Sequence, residues 1–557
     1  MQSSTEHSTA SGLPGAATIA PVAPPERARV RFADAEGAAR WIRTLSVSNI
    51  ASNYEPVLGQ LTALSTAELL PCERLRIAEV LREHIQLLHT ELARRYAGKP
   101  QPLAQSENEA ADQTIALWQA LWQQYAVCRA PLIKGDPDLA AMKSRLLQRG
   151  LHVGKQLLLA YGLAHRSPPP AVWQELHEYY LLSELLDCGD TGLLDPLMPN
   201  GVGISCYSTY SHALLLGLAD PCAMSVKQIQ LTERWLQMWA RKVHPHAERR
   251  WARRVHPHAE RRATRGPLIL VDLDSSAGAT LSPASPGKAG QSIRYSYPDK
   301  LANSIRGRLK RLQAGASPGD LRLGYDCGVD ECTTLLSHLE GCWCRPPKRP
   351  ADGPHVPLQL CAGGLDGAFY RIAGRAFDHD SLKFLRGAQH LASLDPLSDF
   401  DRGKEEAERE WPWERWEGTS ELREALLVRN DPTHYHWRID QLVIIGDGER
   451  DRASYVARVA CGEHGELAVT LRLWFGIPRA LTARPAAIAQ SDDQAAVPAL
   501  LLPETPDDRA CLIVPSDTFN PTRVLRADDG GTERRFRLTR LLQRGVDFER
   551  FAFEEIK

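Results

Sequence analysis

The apolar residues of this chain keep one period in its front half and another in its last third. No single kind of element satisfies both. Ile77, Leu81, Ile85, Leu88, Leu92 and Tyr96 recur at steps of four and three, which places them on one face of a helix. Gly98-Lys99-Pro100 ends that helix with residues that helix interiors avoid. Ile115, Trp118, Trp122 and Tyr125 draw a second stripe, and Leu176, Tyr179 and Tyr180 belong to a third, set off by Pro168-Pro169-Pro170. From Leu426 onward the period becomes two. Leu467, Val469, Leu471, Leu473 and Phe475 alternate with Ala468, Thr470, Arg472 and Trp474, as a half-buried strand requires. Gly462–Gly465 and Asp528–Gly531 read as hairpin turns between strands.

With 557 residues the chain is too long for one core. The expected fold class is α+β multidomain: a helical N-terminal domain, a mixed middle domain and a C-terminal small antiparallel β-barrel. The expected bounds are a disordered tail over 1–28, a helical domain over 29–238, a basic His/Arg segment over 239–265, a mixed α/β region over 266–400 and a barrel-like domain over 401–557. The tail is rich in Ser, Thr, Ala, Gly and Pro and lacks the basic start and apolar core of a secretory signal.

Lys plus Arg (67) and Asp plus Glu (68) nearly cancel, so no global charge draws the chain to nucleic acid or an anionic membrane. Apolar runs such as Ala213–Leu218 are too short to span a bilayer. Twelve scattered cysteines fit reduced thiols and a cytoplasmic location. No cofactor is expected, and protein partners are expected on the helical surfaces.

The middle opens on a duplication: Trp239–Arg250 and Trp251–Arg262 differ only at Lys242 and Arg254. Near-identity over one short unit reads as a tandem duplication tolerated in an exposed loop or helix extension. Beyond it, Pro267–Leu273 reads as a buried strand, Leu301–Leu312 and Leu335–Cys344 as helices, and Arg345–Pro357 as a proline-rich linker.

Three groups of residues invite chemistry. Asp272 and Asp274, with Ser276, follow the apolar strand, and Asp447 and Asp451 lie just after Leu442–Ile445. Strand–Asp–x–Asp followed later by a second acidic motif resembles haloacid-dehalogenase-type phosphatases, which implies a nucleophilic aspartate beside magnesium. This is the enzymatic alternative. Cys327, Cys332, Cys342, Cys344 and Cys361, with His338 between, lack the paired knuckle spacing of a structural zinc site, so no metal is expected. There is no Walker loop, Gly-x-Ser-x-Gly elbow or His-Glu-x-x-His helix.

The third group is Trp416–Gln441, which leads into the alternating strands. Its arrangement resembles PilZ domains, small bacterial barrels that bind cyclic-di-GMP through an arginine pair before the barrel and an Asp/Asn-x-Ser-x-x-Gly turn on it. Asp431 and Thr433 match the acid and hydroxyl of that turn, and His436 stands where the family carries glycine. Arg415, Arg423 and Arg429 are the nearby arginines, while Arg371/Arg375 and Arg540/Arg544 have the family spacing elsewhere. The resemblance implies a non-enzymatic signalling protein that grips phosphates with Arg415, Arg423, Arg429, Asp431 and Thr433. Trp41-Ile42, Arg74–Arg82 and Arg95–Lys99 also resemble proteobacterial cytoplasmic proteins with a helical front and a PilZ-like rear. A helical scaffold that has lost the nucleotide is the third reading.

Overall fold

The structure, a computed structural model, describes residues 29–198, 203–246, 267–282, 290–345, 356–379, 404–448, 450–462, 465–486, 496–518, 524–528 and 532–556. The expected tail, most of the linker and the second copy of the duplicated unit lie outside them.

The front is a helical body of α1 (Ala35–Ile42), α2 (Tyr54–Thr66), α3 (Pro71–Tyr96), α4 (Gln105–Val127), α5 (Arg129–Ile133), α6 (Pro137–Ala141), α7 (Lys143–Leu163), α8 (Pro170–Leu185), α9 (Cys206–Leu218) and α10 (Val226–Trp239). Proline opens α3 at its first turn, where a missing N–H costs nothing. The stripe from Ile77 to Tyr96 is fully buried and packs on the Trp118, Trp122 and Tyr125 face of α4. Helix α7 runs through the centre and is buried from Leu146 to Leu158. It approaches α8 so closely that a Cβ at Gly150 would stand 2.2 Å from the Tyr179 ring. Only glycine fits there.

The stretch read as a separate middle region is divided between two bodies. Strands β1 (Leu268–Asp272), β2 (Thr280–Ser282) and β3 (Ile293–Ser296) form an antiparallel sheet in the order β2-β1-β3. This sheet and helices α11 (Asp299–Gln313) and α12 (Val329–Cys344) share the helical body's core. Trp343 seals the join: its indole donates to Leu215 O at 2.8 Å and its ring meets Trp239 edge-on. The first copy of the duplicated unit is therefore not an exposed extension over its described part. Trp239 and Val243 are buried, Pro245 O accepts from the Tyr180 hydroxyl at 2.6 Å, and His246 pairs with Tyr295.

The rear holds two barrels where the period suggested one. β4 (Val356–Cys361), β5 (Glu414–Ser420), β6 (Glu424–Arg429), β7 (Leu442–Gly446), β8 (Asp451–Cys461) and β9 (Leu467–Leu473) close in the order β4-β5-β6-β9-β8-β7. β10 (Arg479–Pro485), β11 (Val497–Leu502), β12 (Cys511–Val514), β13 (Val524–Asp528), β14 (Glu533–Arg544) and β15 (Glu549–Ile556) close in the order β10-β11-β12-β15-β14-β13. All pairings are antiparallel. The first barrel takes its opening strand from residues 356–361, ahead of the expected boundary at 401.

The barrels are fused. Leu500, Leu502, Ile513 and Phe548 of the second barrel belong to the apolar cluster of the first, and α13 (Gly364–Ala373) lies beside the seam with Phe369 against Ala496. The helical body grips the first barrel through paired backbone bonds between Gln101 and Trp437, at 2.8 and 2.7 Å, and through Cys461 N–H to His165 O at 2.7 Å. Arg458 adds an ion pair to Asp220 at 2.9 Å.

Candidate functional site

Four of the five residues suggested for nucleotide binding meet at one rim of the first barrel. Arg415 opens β5, Arg429 closes β6, and Asp431 and Thr433 lie in the loop that follows. Arg423 does not join them. It sits in the hairpin at the other end of β5 and β6, with its guanidinium over the Phe475 ring at 4.2 Å.

The rim uses these groups to build its own loop. Arg429 donates to Pro432 O at 2.8 Å, to Asp431 O at 3.2 Å and to Arg415 O at 2.6 Å. The Thr433 hydroxyl donates to the buried Glu414 carboxylate at 2.9 Å and accepts from the Trp437 indole at 3.1 Å. Glu414 also accepts from the backbone N–H of His434 and, at 3.3 Å, of Tyr435. A carboxylate holding a loop by its backbone donors is strong local architecture. Asp431 is exposed and contributes its carbonyl, and Arg415 stays exposed on the outside of β5.

Three of the four arginines with family spacing are engaged in contacts of their own. Arg371 on α13 meets both oxygens of Glu408 at 2.9 Å and lies over the Trp413 ring at 4.7 Å. Arg375 rests on Phe369, and Arg544 pairs with the buried Glu549 at 2.8 Å.

The phosphatase constellation does not assemble. Asp272 is on the antiparallel sheet of the helical body, where its Oδ1 accepts from Asp274 N–H at 3.1 Å. Asp447 lies in the tight β7–β8 connection of the first barrel, accepting from Arg450 N–H at 2.9 Å, and Asp451 pairs with Gly446 in the ladder. The acidic motif runs into a strand, where an active-site helix was needed. The thiols gather at most in pairs: Cys327 stands beside Cys332 and Cys342 beside His338, while Cys332 and Cys342 lie about 15 Å apart along α12 at 1.5 Å per residue. Among the described residues no three His, Cys, Asp or Glu side chains gather as metal ligands would.

A different set of side chains converges in the helical body. Helices α3, α7 and α10 leave between them a groove of about 820 Å³. Helix α7 carries Gln148, His152, Lys155 and Gln156 as buried polar residues on its way through the core. Lys155 Nζ donates to Glu233 Oε2 at 3.0 Å, and His212 Nε2 meets Glu233 Oε1 at 2.9 Å. Burial works against the Glu233 carboxylate, yet His212 and Lys155 hold it well below the usual carboxylate range. Burial pushes His212 down, against the pull of Glu233. Burial, with Arg82 and Lys155 adding to it, drives His152 well below the ordinary histidine value. His89, pushed down to about 4 by burial and Lys155, accepts the Trp118 indole N–H at 2.7 Å. Among the described residues two atoms in this wall have no partner: His152 Nε2 and Gln156 Oε1. Sequence reasoning passed over this set, although Gln148, Arg149, His152, Lys155 and Gln156 interrupting the otherwise apolar run from Leu146 to Leu163 were the available signal.

Comparison with known proteins places both ends of the chain. Residues 36–249 match the family model described as "Cyclic-di-GMP receptor FimW, N-terminal domain". Residues 482–556 match the one described as "FimW C-terminal beta-barrel domain". No curated protein and no solved structure matches. The first segment covers α1 to α10, and the second covers almost all of the second barrel.

Proposed function

Because this chain belongs to the FimW family of cyclic-di-GMP receptors, we propose that it binds that nucleotide and acts through protein contacts, with no reaction of its own. The observation that carries this reading is the agreement between matched segment and fold at both ends. The family's N-terminal domain falls on the helical body, and its C-terminal barrel falls on a closed six-stranded barrel. The phosphatase alternative loses its support, since its acids lie on separate bodies.

The joint at Gln101–Trp437 and Asp220–Arg458 links the helical body to the first barrel. The helical surfaces are the proposed place for protein partners. No helix among the described residues is long and apolar enough to cross a membrane. The twelve cysteines are all free, which suits a reducing cytoplasm.

Calorimetric titration of the full chain with cyclic-di-GMP tests the proposal. Saturable binding that the linear dinucleotide does not reproduce is expected. Full-length folded protein that gives no binding would overturn the receptor reading.

A further inference from the structure

Stability alone gives no reason for what lines the α3/α7/α10 groove. His152 and Gln156 are 5% and 6% exposed, and each leaves one side-chain atom without a partner. An unmet buried polar group costs about 1–3 kcal/mol. The Lys155–Glu233–His212 cluster adds two desolvated charges, which well-packed apolar residues commonly match or better. A protein that keeps such groups along an open groove holds them for something that enters it.

We propose that this groove holds the cyclic dinucleotide, with one guanine edge against Lys155 and Gln156; this rests on the receptor reading above. Guanine presents O6, an acceptor, beside N1–H and N2–H donors. Lys155 has three donors and uses one on Glu233, so its ammonium can take O6. The unpartnered Gln156 Oε1 takes the neighbouring N–H. Leu159 and Ile229 supply apolar wall for the ring. The groove follows α3 from Gln86 to Ala97 and α7 from His152 to Leu163, about 16 Å of each helix, which is long enough for a ring of two nucleotides.

Two arginines stand on its lining for the phosphodiesters. Arg94 is paired only with the i−3 residue Glu91 at 2.7 Å, and Arg234 with the exposed Asp326 at 2.9 Å. Surface pairs of this kind are weak and exchange readily for a phosphate. Every lining residue falls inside 36–249, the segment that matches the N-terminal domain of the receptor family.

The geometry carries a specificity. Adenine offers an amine donor where guanine has O6 and an acceptor at N1, so donors would face donors and acceptors would face acceptors. Cyclic-di-AMP should bind at least about a hundred-fold more weakly, as expected where a site built for hydrogen bonding is mismatched.

Calorimetry on the full chain separates the outcomes. Ala93→Trp, which fills the groove from α3, should abolish cyclic-di-GMP binding. Gln156→Leu should weaken it roughly ten-fold, the worth of one such hydrogen bond, in protein that remains folded. If Ala93→Trp fails to fold, Gln156→Leu alone decides. Wild-type protein that binds cyclic-di-GMP while both groove variants bind it equally well would overturn the groove and leave the receptor reading standing. The same holds if Arg415→Ala abolishes binding and the groove variants do not. Wild-type protein that binds no cyclic-di-GMP would overturn the receptor reading itself, and the groove assignment with it.

Discussion

The rim of the first barrel and the groove of the helical body are both polar, and they treat their polar groups in opposite ways. At the rim, Arg429, Thr433 and Glu414 spend their hydrogen bonds on one another and on the loop backbone. In the groove, Lys155 keeps donors in reserve, and His152 and Gln156 have atoms that nothing meets. A satisfied network fixes a shape, whereas an unsatisfied one awaits a partner. Arginines of suggestive spacing found loop-builders here, and the leftover hydrogen bonds lay in a helix with no motif at all.

That contrast can be broken by mutation. The largest effect belongs to Lys155→Met, which strands the ionised Glu233 in the interior. It should cost about 3–5 kcal/mol in denaturant unfolding. A loss below about 1 kcal/mol would show that solvent already serves this cluster. Next is Glu414→Ala, which unties Thr433 and two backbone N–H groups at once. About 2–3 kcal/mol should be lost while nucleotide affinity holds. Affinity that falls with Glu414→Ala in folded protein would make the rim part of the binding surface.

A smaller effect should appear with pH where the rim loop runs into the second barrel. Burial pushes Asp440 and Asp547 up to about 6, and Asp547 accepts Leu442 N–H at 2.9 Å. In the unfolded chain both titrate near 4. The folded protein therefore holds more protons between about pH 4 and 6, so stability falls as pH rises through that window and levels off above it. Asp547→Asn keeps the acceptor and should raise stability at pH 7 by about 1 kcal/mol, with a flatter profile. An unchanged profile would place this carboxyl in water. The smallest effect is expected from Arg429→Ala, about 1 kcal/mol of stability with no change in affinity.

Much of the fold was legible because helical and strand periods report directly on which face is buried. The stripe from Ile77 to Tyr96 is wholly inside, and Leu467, Val469, Leu471 and Leu473 face the first barrel's core. The second barrel was not legible as a separate body. Its strands β11 and β12 are buried on both faces, since one side fills their own barrel and the other packs on its neighbour. Alternation disappears under those conditions. The first strand of the first barrel was hidden by distance, as more than fifty residues separate Cys361 from its partner strand at Glu414. Trp239–Arg250 looked like a loop because its arginines, lysine and histidines outnumber its apolar residues, yet Trp239 and Val243 anchor its described part in the core. At the candidate site, four of the five residues singled out in the sequence, Arg415, Arg429, Asp431 and Thr433, lie at one rim, and Arg423 does not. The sequence could not reveal that two of the four were already committed, because their acceptors are backbone carbonyls and one buried glutamate.

Hydrogen exchange on the full chain, with and without cyclic-di-GMP, tests the central claim most directly. Protection should rise over residues 86–97, 152–163 and 226–237 and stay unchanged over 414–438. Protection confined to 414–438 would contradict the groove, and no protection anywhere at saturating nucleotide would contradict the receptor.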